Sequence, residues 1–294
     1  MYKNYFIKIF AWLDRLIKLI ISIFFYIGYN IVTVFLKIIN KPLPASYVVL
    51  TYHSVKDSQV DRFKRHMDEI LKKGFPVSLD FSNFSDINKH YIAVTFDDGY
   101  QSVVRNALPI MKKRKIPALL FITTAYLGKK PGWINNPNHE NANEILISEQ
   151  VLKEISEEYV SIGSHSVTHT DLATISKNKV LDEFINSKKT LEKIINKNVN
   201  YFSFPFDSFN NELIELSKQA GYKKIYIDIP IFPSLVNNSY LNGRIDISLN
   251  DWFIEYRLKM LGAYQWLPIA IYIKQYFRFF LSNIKTKHKE IKPD

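Results

Sequence analysis

Residues Ala93–Ser102 read AVTFDDGYQS. A short run of apolar and β-branched residues meets two adjacent aspartates, Asp97 and Asp98, and then Gly99. The run has the character of a buried strand. Successive side chains of a strand point to opposite faces, so two carboxylates can act together at its end only where the chain is already turning. Gly99 permits the dihedrals such a turn needs. A helix N-cap before Gln101 accounts for one aspartate and leaves the other unexplained.

Outward from this strand, two periodicities alternate. Tyr47–Thr51, Tyr91–Phe96, IPALLFIT from Ile116, VSIG from Val160, YFSF from Tyr201 and KIYID from Lys224 read as strands, with one more near Arg244–Ile247. Asp61–Lys73, Gln101–Lys115, Ser148–Glu158, Ser176–Asn196 and Asn210–Ala220 read as helices. The alternation predicts an α/β fold with a parallel sheet, closed as a barrel or open and doubly wound. His53, Asp97, Asp98, His165, Pro205 and Asp228 each fall at or just after the C-terminal end of a strand. That edge is where parallel α/β folds bind ligands, which favours a barrel with one ionisable rim.

The chain of 294 residues carries a net charge of +11 and no cysteine. Disulfides, thiolate zinc sites and cysteine nucleophiles are excluded. The basic balance fits nucleic acid, anionic lipid or acidic glycan as a neighbour, or a composition merely rich in lysine. No nucleic-acid motif is present, so no nucleic-acid partner is expected. Leu19–Leu36, LIISIFFYIGYNIVTVFL, is uncharged and as a helix reaches about 27 Å, enough to cross a bilayer's hydrocarbon core. Lysines and Arg15 precede it, Lys37 and Lys41 follow, and KPLP from Lys41 reads as a linker. The expectation is a membrane anchor with a cytoplasmic N-terminus and the main domain outside. A cleaved signal and an interfacial or core helix are the alternatives. The expected division is residues 1–40 for this segment, 41–262 for the main domain and 263–294 for a basic amphipathic tail. The tail, WLPIAIYIKQYFRFFLSNIKTKHK from Trp266, reads either as an amphipathic membrane-surface helix or as a helix packed on the domain.

His165 and His169, four apart in SIGSHSVTHTDL, would share one face of a helical turn. With one carboxylate they make a metal site with open positions, and the second aspartate is free to act as a base. His66, His90 and His139 read as surface residues. A haloacid-type phosphatase needs its aspartates at i and i+2, where this chain has Gly99.

TFDDGY and SHSVTH resemble the first two motifs of the polysaccharide deacetylase family, the group with the NodB-type domain, and FSFPFDSFN from Phe202 resembles the third. The resemblance covers Tyr47–Asp228. It implies a distorted parallel (β/α) barrel of about seven strands, here preceded by the hydrophobic helix. It implies Asp97 as general base and Asp98, His165 and His169 as ligands of one divalent metal, zinc first, with cobalt, nickel or ferrous iron as alternatives. Pro205, Phe206 and Asp207 would line the substrate groove. VVLTYHSV from Val48 is similar to the opening of permuted members such as poly-N-acetylglucosamine deacetylases, which puts His53 in the slot of the proton donor. Two departures stand out: Ser203 where many members carry Arg, and Asp207 where Gly is usual. In GRIDISLNDWF, Arg244 and Asp246 are candidates for orienting His53 or Asp97, and Trp252 for walling the sugar site; a surface salt bridge and a core aromatic are the alternatives. The expected reaction is removal of N-acetyl groups from a glycan. A glycan-binding protein without activity and an amidase acting elsewhere are the competing functions.

Overall fold

The computed structural model describes residues 2–41, 46–86, 88–155, 159–231, 239–274 and 276, with side chains from residue 11 onward. The linker after Lys41 and the tail from residue 277 lie outside the described residues.

An apolar helix, α1 (Tyr2–Ile38), precedes β1 (Ser46–Tyr52). Then come α2 (Val60–Lys73), the short β2 (Phe75–Pro76) and β3 (His90–Phe96). The segment expected as one helix from Gln101 is a π-helical turn over Val103–Ala107 that leads into α3 (Leu108–Lys113). Pro109 has no N–H to give to the turn before it, which suits a local widening of the helix. The remaining elements are β4 (Ala118–Ile122), α4 (Glu149–Ile155), β5 (Val160–Ser164) and α5 (Lys177–Ile195). They are followed by β6 (Tyr201–Ser203), α6 (Asn211–Gln219), β7 (Lys224–Ile227), β8 (Leu241–Gly243), β9 (Ile245–Asp246) and α7 (Phe253–Met260). α7 and the start of β8 had no clear periodic signal.

The pairs β1–β3, β3–β4, β4–β5, β5–β6, β6–β7 and β7–β8 are all parallel. The choice between open sheet and barrel is made by residues 241–246. Leu241–Gly243 pair with β7, while Ile245 and Asp246 pair with Leu50 and Thr51 of β1. One short stretch thus bonds both edges, with Arg244 at the switch. β1, β3 to β7 and this split strand make a seven-stranded barrel, as expected. Gly243 is required there: a Cβ would lie 2.3 Å from the carbonyl oxygen of Ile229.

The strands sort their side chains by parity. Tyr47, Val49, Tyr91, Ala93, Leu119, Phe121, Tyr201 and Tyr226 fill the barrel interior. The alternate positions, including Leu50, Val94, Leu120 and Phe202, pack outward under Phe63 and Met67 of α2 and Phe184 and Leu191 of α5. The interior parity runs out at the C-terminal rim through His53, Asp97, His165, Ser203 and Asp228. The rim chemistry therefore continues the inward-facing rows of the strands.

His66 corrects the sequence expectation. It is fully buried on α2, stacked on Tyr256 with ring centroids 3.5 Å apart, and the Tyr52 hydroxyl lies 3.2 Å from its Nδ1. Its neighbours in sequence are charged, but it sits on the apolar stripe of α2 with Phe63, Met67 and Ile70. His90 is likewise engaged, between Ser46 Oγ and the carbonyl of Met260; His139 is exposed.

Burial, helped by nearby Arg62, Arg65 and Lys259, lowers the His66 pKa from 6.5 to about 3. Within that window the unfolded chain binds a proton that the folded chain refuses. Stability should therefore fall as pH drops from 6.5, by up to about 1.4 kcal/mol per pH unit from this group. Urea unfolding of wild type and His66→Phe across this range should show a shallower pH dependence in the variant.

Candidate active site

The rim residues surround a cleft of about 720 Å³. Its floor holds the buried Asp97, Asp98, His165 and His169; His53, Asp246, Trp133 and an asparagine-rich loop line its walls. Phe206, Asp207 and Asp228 complete it.

The two aspartates diverge as the opening stretch requires. Asp97 keeps the interior parity of β3, with its N–H bonded to the carbonyl of Tyr52 at 2.9 Å. Asp98 has φ 70° and Gly99 φ 84°, so the chain turns and sends the second carboxylate sideways. Neither caps the following helical turn, whose N-cap is Ser102.

Asp98 meets the histidines. Its Oδ1 lies 3.1 Å from His169 Nε2 and 3.5 Å from His165 Nε2. The three offer donor atoms within 4.8 Å of one another, and all are buried. His165 Nδ1 is 2.8 Å from the carbonyl of Ser203, an acceptor, so the ring donates there. Its Nε2 then turns a lone pair toward a carboxylate. Burial pulls the His165 pKa down to about 4, keeping the ring neutral. Burial works against the charge on Asp98, yet the His169 hydrogen bond and the nearby histidines hold its pKa well below the carboxylate range. A neutral imidazole and an ionised carboxylate aimed at one point fit a divalent cation.

The histidine pair does not lie on a helical turn. Residues 165–170 form a loop after β5, folded by left-handed backbone at Ser166 (φ 68°) and His169 (φ 57°). Glu183 of α5 holds this loop: it accepts from the N–H of Val167 at 2.7 Å, the N–H of Thr168 at 2.9 Å and the Thr168 hydroxyl at 2.8 Å. Nothing in the sequence marks Glu183, because its partners, two backbone N–H groups and one hydroxyl, lie 15 and 16 residues away. Trp133 stacks on His169 at 4.2 Å and Phe206 meets its edge at 4.7 Å.

Asp97 is gripped from below. Arg244 donates from Nη1 to Oδ1 at 2.7 Å and from Nη2 to Oδ2 at 2.6 Å. Nη2 also reaches Ser203 Oγ and Asp228 Oδ1, each at 2.7 Å. Burial opposes ionisation of Asp97, and the Arg244 charge overcomes it, so the pKa is lowered. Asp228 has the weaker share; burial raises its pKa to about 6. Ser203 leaves the room that this guanidinium occupies.

The other candidates divide. His53 faces the cleft with Nδ1 3.7 Å from Asp246 Oδ1. Burial lowers its pKa, but Asp98, Asp97 and Asp246 outweigh this and the net shift is upward. Phe206 and Asp207 line the cleft with φ of 59° and 52°, and Asp207 Oδ1 accepts the N–H of Asp228 at 2.8 Å. Pro205 is buried behind them. Arg244 lies under the floor, away from the cleft. Trp252 does not wall the cleft either: the Arg15 guanidinium covers its ring at 4.4 Å, because α1 docks there.

The profile of the polysaccharide deacetylase family matches residues 85–225, which contain both motifs. Over these residues the chain is similar to the polysaccharide deacetylases. YxkH of Bacillus subtilis (strain 168), whose name places it in the same family, is 24% identical over 216 residues, covering 70% of this chain and 72% of YxkH. The poly-beta-1,6-N-acetyl-D-glucosamine N-deacetylase of Staphylococcus aureus (strain N315) is 29% identical over 180 residues. This chain spans 57% of that relative's length. IcaB from Ammonifex degensii has the same fold, with a TM-score of 0.61 at 20% identity over 75% of this chain and 97% of IcaB. A deacetylase is a hydrolase, and that is the class these likenesses support.

Glu183→Ala should leave the barrel folded by circular dichroism but release the histidine loop. Affinity for a divalent metal, measured by titration calorimetry, should fall about 10- to 100-fold. Arg244→Met should lower unfolding free energy by about 3–5 kcal/mol in urea titrations, since it strands buried carboxylates.

Proposed function

We propose that this protein removes N-acetyl groups from an N-acetylglucosamine-containing glycan of the cell envelope, releasing acetate. The observation that carries the reading is the pairing of two differently used carboxylates: Asp98 aimed at His165 and His169, and Asp97 fixed by Arg244 at the same cleft floor. The named activity of the staphylococcal relative, and that of a Bacillus subtilis peptidoglycan-N-acetylmuramic acid deacetylase, 26% identical over 149 residues, support a glycan amide as substrate.

Asp98, His165 and His169 would hold the divalent metal, zinc first, which when bound supplies Lewis acidity toward an acyl oxygen and a water. Asp97 takes a proton from the attacking water as general base. Arg244 keeps that carboxylate ionised and in one rotamer, so Arg244 is a positioning residue. His53, on the facing side, gives a proton to the departing amine nitrogen, with Asp246 orienting its ring. The backbone at Phe206 serves the oxyanion, and Asp207 lines the groove. Residues 41–262 form the catalytic unit, and α1 keeps it at a membrane.

The test is acetate release by the full chain from N-acetylglucosamine oligomers of differing linkage, with metal and with chelator. Asp97→Asn should abolish release while binding metal as wild type does; His165→Ala should lose both. Release that survives Asp97→Asn, or metal occupancy that survives His165→Ala, contradicts these roles. No release from any oligomer by a metal-loaded wild type overturns the substrate class.

A further inference from the structure

We propose that α1 lies flat in the surface of an anionic lipid bilayer, alongside the barrel, and does not cross it. This replaces the spanning anchor expected from the sequence, and it does not depend on the reaction.

α1 is bound to the domain from Arg15 to Lys37. Arg15 pairs with Glu255 of α7 at 2.6 Å and donates to the carbonyl of Asn250 at 3.2 Å. Leu19 is buried in the outer core, Ser22 accepts from Trp266 Nε1 at 2.9 Å, and Tyr26 packs on the same core. Further on, Tyr29, Thr33 and Leu36 remain half-buried, and Lys37 donates to Asn88 at 3.4 Å. Positions 15, 19, 22, 26, 29, 33 and 36 fall on one stripe of a helix. From Arg15 to Leu36 the stripe is about 32 Å long. A helix leaving the domain to cross a membrane would lose this stripe after its first turns.

The opposite face is where a soluble helix would be polar. Here it presents Ile17, Ile20, Phe24, Ile27, Ile31 and Phe35, all exposed. Mean hydropathy reaches 2.2 over an 18-residue window within the apolar stretch Ala11–Ile38. A second element joins it at the Ser22–Trp266 contact: the helix over 267–274 exposes Ile269, Tyr272 and Ile273 at i, i+3 and i+4. Lys18, Lys37 and Lys41 flank the apolar face, and the chain's +11 charge favours anionic headgroups. Apolar outward faces on two touching helices, with cations and tyrosine at their edges, are the chemistry of an interfacial seat. Arg15, early in α1, and Lys37, at its end, are tied to polar groups of the domain, Glu255 and Asn88. A crossing orientation with these ties intact would carry Asp251, Glu255 and Asn88 into hydrocarbon, where charged and polar groups are costly.

The chain has no cysteine, so single thiols report cleanly. Phe24→Cys, Ile31→Cys and Phe35→Cys, each carrying an environment-sensitive fluorophore, would be bound to phosphatidylethanolamine–phosphatidylglycerol vesicles. Nitroxide lipids spin-labelled at different acyl depths would quench them. The expected result is one shallow depth for all three sites and no quenching at Tyr26→Cys, on the inner stripe. A graded depth along the helix, with Phe24 and Ile31 deep and Phe35 shallow, would mean that α1 crosses and would overturn the proposal. Absence of lipid quenching at all sites would also overturn it, and a dimer by sedimentation would then assign the face to a second copy of the chain.

Discussion

A guanidinium with no access to water holds the barrel's interior together. Arg244 stands where one short stretch passes from pairing with β7 to pairing with β1, so the residue that closes the sheet also reaches the centre of the rim. Removing one charge from water costs several kcal/mol, and a buried pair recovers this only with near-ideal geometry. The fork of Arg244 on Asp97 has that geometry, with two bonds of 2.6 and 2.7 Å. Closure of the fold and ionisation of Asp97 are thus one arrangement. Asp228 competes for the same cation and loses, which is why its pKa moves up while that of Asp97 moves down.

Strain gathers where chemistry is expected. Asp98, Ser166, His169, Phe206 and Asp207 all have positive φ, although none is glycine. Each such residue costs roughly 1–3 kcal/mol and persists only when its surroundings over-determine it. Those surroundings are visible: Glu183 for the histidine loop, the Asp228 N–H for Asp207, and Ile122 packed where a side chain at Gly99 would go.

Most of the barrel was legible because its strands are short apolar runs and its helices carry strong stripes. The rim was legible because strand ends are readable even when pairing is not. His53, Asp97, Asp98, His165 and Asp228 fell together in the cleft from that rule alone. What escaped depended on contacts between distant segments. Glu183 looks like any exposed helix acid, His66 looks solvated because its neighbours in sequence are charged, and Trp252 looks like a sugar platform until Arg15 is seen on its face. The helical reading of the histidine pair failed because four-residue spacing does not by itself specify a helix. A tight loop with two left-handed residues also brings the rings together.

The course of α1 has a consequence for reach. Arg15 lies near Asn250, just after the rim residues 246–249, and Lys37 near Asn88, ahead of β3, so this part of α1 runs along the barrel from rim to base. With α1 seated in lipid, the barrel lies on its side and its mouth looks along the membrane. The height of the mouth is then set by one helix diameter, about 10 Å, plus the barrel's own radius. On the reading proposed above, the chain is a ruler held against the bilayer, within reach of sugars in that narrow layer and of none beyond it.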